Sequence, residues 1–431
     1  MKAANSVIAH NKNRIDKNLF TNALEGAKII HYHGKSEEEE ARWIAAEIAK
    51  KIKDNSSKYS DFAIVYRSSY LSRYIEQSLL KHSIPYVIWG GIRFFERREI
   101  KDALSYLRLI ETGDDLSFCR ICNVPPRKFG KTTLGKLKNL ASLENAPLYD
   151  TLVKHIDDKE FNKTDIKNFI NIIEEIRLVK DNNLVSIVLD KVLKDSGLTD
   201  MIRREGDDER IANLSELMSS IKHYEQEKED SLSLFGYLQD IALYTNADYK
   251  TNNDNVKLMT IHQSKGLEFP HVFIVGLNDG IFPNQKSIKE RKEKAEEEER
   301  RLMYVAITRA KQTLYLTESE GYNINTDMQK IPSRYLLEME KSLYITEGKM
   351  DETLWQMTKN MVSSEAEIFE SQSMSDELEI GDQVEHEVFG DGEILDILKE
   401  KESVKVSFST GIVRTLRVTF IRKKNSIRND N

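Results

Sequence analysis

Cysteine is nearly absent from this chain of 431 residues, which holds only Cys119 and Cys122. Two thiols cannot build the disulfide scaffold of a small secreted domain, and they suit a reducing cytosol. Proline is scarce as well, seven in all, so little interrupts a helix. No run approaches the ~18 consecutive apolar residues of a membrane span. The opening MKAANSVIAHNKNR lacks the apolar stretch of a secretory signal. A cytoplasmic protein with no membrane partner is expected. An excess of positive charge is also missing: 64 Lys and Arg face 71 Asp and Glu, net −7. That argues against a uniformly basic nucleic-acid coat, so any such site has to be a local patch.

What is present reads as several domains, two to four for this length at ~100–200 residues each. Glu37 to Lys53 has apolar residues at Ala41, Trp43, Ile44, Ala45, Ile48 and Ile52, an amphipathic helix pattern. Phe62-Ala63-Ile64-Val65-Tyr66 is an apolar run of strand length; a helix over 71–82 and a strand over 86–89 follow. This β-α-β order predicts a parallel sheet covered by helices. From about 97 to 245 helical periodicity dominates, at 97–110, 131–143, 165–180, 184–196, 209–227 and 231–244. After the polar stretch at 252–255, strands return at 256–261, 271–276 and 313–317. The expected architecture is one α/β domain interrupted by a helical insertion. The polar segment 346–377 reads as a linker. Short strands with turn signals over 378–424 predict a small β-barrel. Within 401–431, eight basic residues (Lys401, Lys405, Arg414, Arg417, Arg422, Lys423, Lys424, Arg428) face Glu402 and Asp430, net +6.

Several motifs invite a chemical reading. Gly130-Lys131-Thr132 is not a phosphate loop, because Pro125 and Pro126 stand where the loop needs glycine and backbone N–H groups. Cys119 and Cys122 form a lone CxxC without further zinc ligands and read as structural. More informative is VKLMTIHQSKGLEF (256–269), an apolar strand running into a polar turn. Function in α/β sheets collects at such strand ends. His262 and Lys265 are candidates for phosphate, and Glu268 for a sugar hydroxyl; a solvated loop is the bland alternative. Arg67 ends another strand and is a second phosphate candidate. Glu296 to Arg301 opens a helix ending at Thr308-Arg309-Ala310-Lys311, with acids early and bases late, as the helix dipole favours. Arg309 lies just beyond, where a guanidinium reaches into a cleft. Arg93, Phe94, Phe95, Arg97 and Arg98 suit either nucleic acid or a packed hinge.

At these residues the chain resembles a known family. VKLMTIHQSKGLEFPHVFIVGLNDGIFP (256–283) is similar to motif V, and EEEERRLMYVAITRAK (296–311) to motif VI, of superfamily 1 DNA helicases of the UvrD/PcrA/Rep group. AIVYRSSYLSRYIEQSLL (63–80) and PYVIWGGIRFFERREIKDALSYLRLI (85–110) match the segments leading into that family's inserted domain. IGDQVEHEVFGDGEIL (380–395) resembles the Tudor-like tail of UvrD and PcrA.

The resemblance implies a second RecA-like motor lobe, of the P-loop NTPase type but without the P-loop, made from 1–89 and 253–345. Residues 90–252 would be the mostly helical insertion that touches duplex DNA. Residues 378–431 would be a Tudor-like β-barrel with a basic tail, which in relatives docks on RNA polymerase. By motif position, Arg309 is the arginine finger aimed at ATP, and Glu268 with Gly266 belongs to the nucleotide site. Arg67, Thr260, His262 and Lys265 fall where the family contacts single-stranded DNA near a single-strand/duplex junction. The family's duplex-binding turn would be Lys128-Phe129-Gly130-Lys131-Thr132, with lysine in place of its first glycine.

No GxxxxGK[ST] and no DExx after an apolar strand occur in the chain. The lobe that binds most of ATP and Mg2+ would precede Ala3. The expectation is the C-terminal part of a 3′–5′ DNA helicase of DNA repair or replication whose N-terminal half is encoded separately or was lost, inactive by itself. The alternatives are a non-enzymatic module that binds DNA or RNA polymerase, and a decayed gene product.

Overall fold

A computed structural model describes residues 1–12, 26–162, 164–227, 233–245, 253–323, 328–386, 389–398, 403–417 and 420–423. Helix α1 (Lys2–Ile8) precedes strand β1 (Ile29–Gly34), helix α2 (Glu37–Lys53), strand β2 (Phe62–Tyr66), helix α3 (Ser72–Lys81) and strand β3 (Tyr86–Ile88). After a long helical insertion come β4 (Val256–Thr260), β5 (Phe269–Val275), helix α13 (Gln285–Ile307) and β6 (Ala310–Ser319). A small antiparallel pair, β7 (Tyr322–Asn323) and β8 (Met328–Gln329), leads to α14 (Arg334–Glu338) and β9 (Tyr344–Glu347). Seven of these strands form one sheet in the order β3-β4-β2-β5-β6-β1-β9, every neighbouring pair parallel. Strands from before and after the insertion therefore interleave in a single sheet.

Burial on both faces explains why β2, FAIVY, is a continuous apolar run rather than an alternating one. The five residues of β2 are all buried. Phe62, Ile64 and Tyr66 face one way, against Ile44 and Ile48 of α2 and Leu79 of α3. Ala63 and Val65 face the other, in one core with Val7 of α1, Met303 of α13 and Tyr335 of α14. That is the two-residue period of a strand. Each large apolar side chain so buried contributes about 1.5–3 kcal/mol. Helix α2 starts where Ser36 accepts from the Glu39 N–H, with Glu37–Glu40 in its first turn and Lys50, Lys51 and Lys53 in its last.

The insertion is helical: α4 (Arg98–Thr112), α5 (Asp115–Ile121), α6 (Lys131–Glu144), α7 (Leu148–Lys154), α8 (Ile166–Val179), α9 (Val185–Asp195), α10 (Leu198–Glu205), α11 (Asp208–Glu227) and α12 (Leu234–Thr245). It has its own core around Tyr106, Phe118, Phe129, Phe169, Ile173, Leu189 and Leu217. The entry is pinned rather than exposed. Phe94 and Phe95 are buried. The Arg97 guanidinium donates to Asn213 Oδ1 (2.7 Å), the Ser69 carbonyl (2.9 Å) and Ser72 Oγ (3.0 Å). This favours the packed-hinge reading of the 93–98 cluster. Cys122 is buried, and burial pushes its thiol up to about 11, as suits a structural cysteine.

One expectation needs correction. Most of the polar segment read as a linker is a helix, α15 (Glu352–Glu377). Asp351 caps it by accepting from the Thr353 N–H, and residues 352–377 contain no proline or glycine to break the helix. Its start is anchored by buried Leu354 and by Thr358, whose hydroxyl donates to the Pro332 carbonyl at 2.9 Å. Polar composition concealed it. The C-terminal part is a five-stranded antiparallel sheet, β13-β12-β11-β10-β14. Its strands are β10 (Gln383–His386), β11 (Gly390–Leu398), β12 (Ser403–Phe408), β13 (Val413–Arg417) and β14 (Arg422–Lys423), around Val384, Ile394, Val404, Val406 and Ile421. Lys401, Lys424 and Arg428 of the basic tail lie outside the described residues.

Candidate nucleotide and nucleic-acid sites

Parallel topology forces the loop after β4 to travel. Thr260 lies level with Tyr66, and His271 level with Phe62. Residues 261–268 must therefore run from the C-terminal end of β4 back to the start of β5, roughly 20 Å along the strand direction at ~3.3 Å per residue. Gln263 fixes the near end. Its amide oxygen accepts from the Thr260 N–H (2.9 Å) and hydroxyl (3.0 Å), and its amide nitrogen donates to the Gly90 carbonyl (3.0 Å). Ser264, fully buried, donates to the Ile261 carbonyl at 2.7 Å. Gly266 takes φ +85°, with open space where a Cβ would stand, so the backbone turn rather than crowding calls for glycine.

At the near end a cleft of about 1000 Å³ opens between the sheet's strand ends and the start of α11. Arg67, Thr260, His262 and Gln263 line it. The Arg67 guanidinium forms a bidentate pair with Glu299: Nε donates to both carboxylate oxygens at 2.9 Å and Nη2 to one at 2.6 Å. Partial burial and then the Arg67 charge push the His262 pKa down, which favours a neutral imidazole near pH 7. The far wall is acidic. Asp208 pairs with Lys286, and Glu209 accepts from Ser69, so two contacts span the cleft from the insertion to the sheet domain.

At the far end a second group gathers. All three nitrogen positions of Arg309 are held by neutral oxygens: Nε on the Val305 carbonyl (2.9 Å), Nη1 on the Leu267 carbonyl (2.7 Å), and Nη2 on Thr308 Oγ1 (2.9 Å). Among the described residues no carboxylate pairs with it. The Arg309 carbonyl accepts from the Phe269 N–H at 2.9 Å, closing the loop onto β6. Glu268 stands beside it, 3.5 Å from Lys311, both about half exposed. Thus Gly266, Glu268 and Arg309 come together, and Arg67, Thr260 and His262 come together elsewhere. Lys265 is exposed on the loop between the groups.

The charged run 296–301 differs from its dipole reading. Arg300 is buried and pairs with Glu296 (2.7 Å) and Glu338 (2.7 Å), and donates to Asn11 (2.8 Å). Glu297 accepts from the Lys12 N–H at 2.8 Å. These are ties between α13, α14 and the segment after α1, beyond the helix-dipole account of these charges. Glu299, also buried, escaped the sequence reading. Its signal was its position on the apolar stripe Ala295, Met303, Ala306, where a glutamate needs a partner. Glu299 also accepts from the Asn284 N–H at 3.1 Å. A straight helix at ~1.5 Å per residue would hold those two residues ~22 Å apart, so α13 bends back between them. In the insertion, Lys128 takes φ +57°, a left-handed conformation that glycine adopts more readily.

Fit to ATP can be judged from the donors present. A cation without a counter-ion beside an exposed carboxylate suits one wall of a nucleotide site. No group of three or more His, Cys, Asp or Glu that could hold a metal occurs among the described residues. No helix among them is long and apolar enough to cross a membrane.

A parallel α/β sheet split by a helical insertion, with Arg67 near one end of a crossing loop and Arg309 at the other, marks a lobe of the RecA-like helicase class. The chain belongs to the family of UvrD-like helicase C-terminal domains, which it matches over residues 1–321. It is similar to the ATP-dependent DNA helicase PcrA of Staphylococcus epidermidis, 36% identical over 418 residues, covering 94% of this chain and 57% of the relative. PcrA of Staphylococcus aureus is 35% identical over 420 residues, with the same coverage. The chain thus spans a little over half the length of these relatives.

Proposed function

We propose that this chain is the C-terminal part of an ATP-dependent 3′–5′ DNA helicase, completing an ATP site whose phosphate loop and Mg2+ ligands lie on an N-terminal half. The observation that carries this reading is Arg309, held at three points by neutral oxygens and keeping its full charge. Such a guanidinium stabilises charge that develops on the transferring phosphoryl group, an effect of ~10³–10⁵-fold where an arginine finger serves a GTPase. Its pre-set orientation avoids reorganisation during the reaction. Glu268 accepts from the nucleotide sugar, and Gly266 lets the loop turn toward it. ATP with Mg2+ supplies the phosphoanhydride and its metal-neutralised charge.

Arg67, Thr260, His262 and Lys265 grip single-stranded DNA, the insertion meets the duplex at the junction, and the C-terminal sheet serves as a Tudor-like docking module for RNA polymerase. Closure of the two lobes moves one DNA grip relative to the other.

The test combines the purified chain with a polypeptide carrying the N-terminal half of a PcrA-type helicase. DNA-stimulated ATP hydrolysis is expected from the mixture, from neither part alone, and not from the mixture with Arg309→Ala. Turnover at helicase-like rates by the chain alone would overturn the division of labour. A second reading is a binding module without ATP chemistry. It is favoured by the cleft, since Arg67, Thr260 and His262 meet within this chain. Salt-sensitive DNA binding with no stimulated hydrolysis in the mixture would select it.

A further inference from the structure

Arg67 reaches the cleft with one edge of its guanidinium already committed. Nε and Nη2 donate to Glu299, while Nη1 makes no hydrogen bond among the described residues. Glu299 is not a surface partner that swings away, since it is almost wholly buried. It is held from a second direction by the Asn284 N–H. A buried carboxylate stripped of its partners is strongly destabilising, so Glu299 stays where α13 puts it. A planar fork bonded bidentately to a fixed carboxylate has its orientation fixed too.

We propose that Glu299 is the positioning residue of the nucleic-acid cleft: it holds the Nε–Nη2 side of Arg67 so that Nη1 is presented to a DNA phosphodiester. This rests on the reading of the cleft as a single-stranded DNA site. Glu299 touches no DNA itself. Because it also cancels the Arg67 charge, the contact gains from geometry more than from net charge.

The experiment is a double-mutant cycle on the full chain, read by fluorescence anisotropy with a labelled oligothymidylate at two salt concentrations. The forms compared are the unmodified chain, Glu299→Gln, Arg67→Ala and the double variant. Glu299→Gln is expected to weaken binding about fivefold or more, yet to change nothing further in the Arg67→Ala background. Arg67→Ala alone strands a buried carboxylate, so the double variant, which removes both charges, serves as the folded reference. Glu299→Asp keeps the charge, shortens the reach and carries the test if Glu299→Gln fails to fold; an intermediate loss is expected. Equal losses in both backgrounds, or tighter binding by Glu299→Gln, would overturn the positioning role while leaving the DNA site standing. No binding by the unmodified chain would overturn the DNA reading and this inference with it.

Discussion

At the scale of single residues, the sheet carries a buried cluster of histidine and glutamate side chains. His33 is buried, with Nδ1 2.6 Å from Glu318 Oε1 and Nε2 2.8 Å from Glu320 Oε1. Burial pulls its pKa down, but the bonds to Glu318 and Glu320 outweigh that, and the net shift is upward. The Glu318 carboxyl moves the other way: burial raises it, and His31 and His33 lower it more. A raised histidine stabilises the fold fully below the unfolded value of about 6.5, and that contribution disappears as pH climbs through the folded value. The lowered Glu318 contributes above its unfolded value and loses that as pH falls. Stability in urea is therefore expected to decline from about pH 6.5 upward, and His33→Gln is expected to flatten that limb. An unchanged slope in the variant would remove His33 as its source. Residues of this kind were hard to read in advance. Arg309 and Arg67 stand out because they end apolar elements. Glu299 and His33 were hidden because their meaning lies in a partner far off in the chain.

At the scale of elements, legibility followed length and periodicity. The strands at 62–66, 86–88, 256–260 and 269–275 announce themselves as largely apolar runs, β6 shows only its stretch 313–317, and the longer helices of the insertion appear by their repeat. Helices α5, α7 and α10 span only seven or eight residues, too few for the repeat to emerge. Strand β1, IIHYHG, mixes in two histidines that only the Glu318 cluster makes buriable. Helix α11 matters to the cleft because its first turn brings Asp208 and Glu209 against Lys286 and Ser69. A DNA phosphate entering there meets two like charges and has to break two cross-cleft contacts. Asp208→Asn combined with Glu209→Gln is therefore expected to tighten oligothymidylate binding several-fold, mostly at low salt where exposed charges are least screened. Weaker or unaltered binding would place the DNA path away from α11.

At the scale of the whole molecule, the two candidate sites are joined by one short segment. Residues 261–268 begin at the cleft end of β4 and finish beside Arg309, and each end is fastened to the sheet domain: Gln263 to Gly90, and Leu267 and Phe269 to Arg309. A loop pinned at both ends transmits displacement better than one free to slacken. Its weak point is Gly266, at φ +85°. Alanine there meets no neighbour but disfavours the left-handed backbone by about 1–2 kcal/mol. The loop then relaxes at its middle while both fastenings remain. In the reconstituted two-part enzyme, Gly266→Ala is expected to lower oligothymidylate affinity by no more than Lys265→Ala does, as Arg67 and Thr260 lie beyond the change, and to lose most of the DNA stimulation of kcat for ATP hydrolysis, since a relaxed loop passes on less of what happens at Thr260. The comparison needs kcat with and without oligothymidylate for both forms. If affinity and stimulation fall together, the loop is only a scaffold for the DNA grip; if neither changes, the coupling runs through α13, whose Glu299 holds Arg67 and whose C-terminal end precedes Arg309.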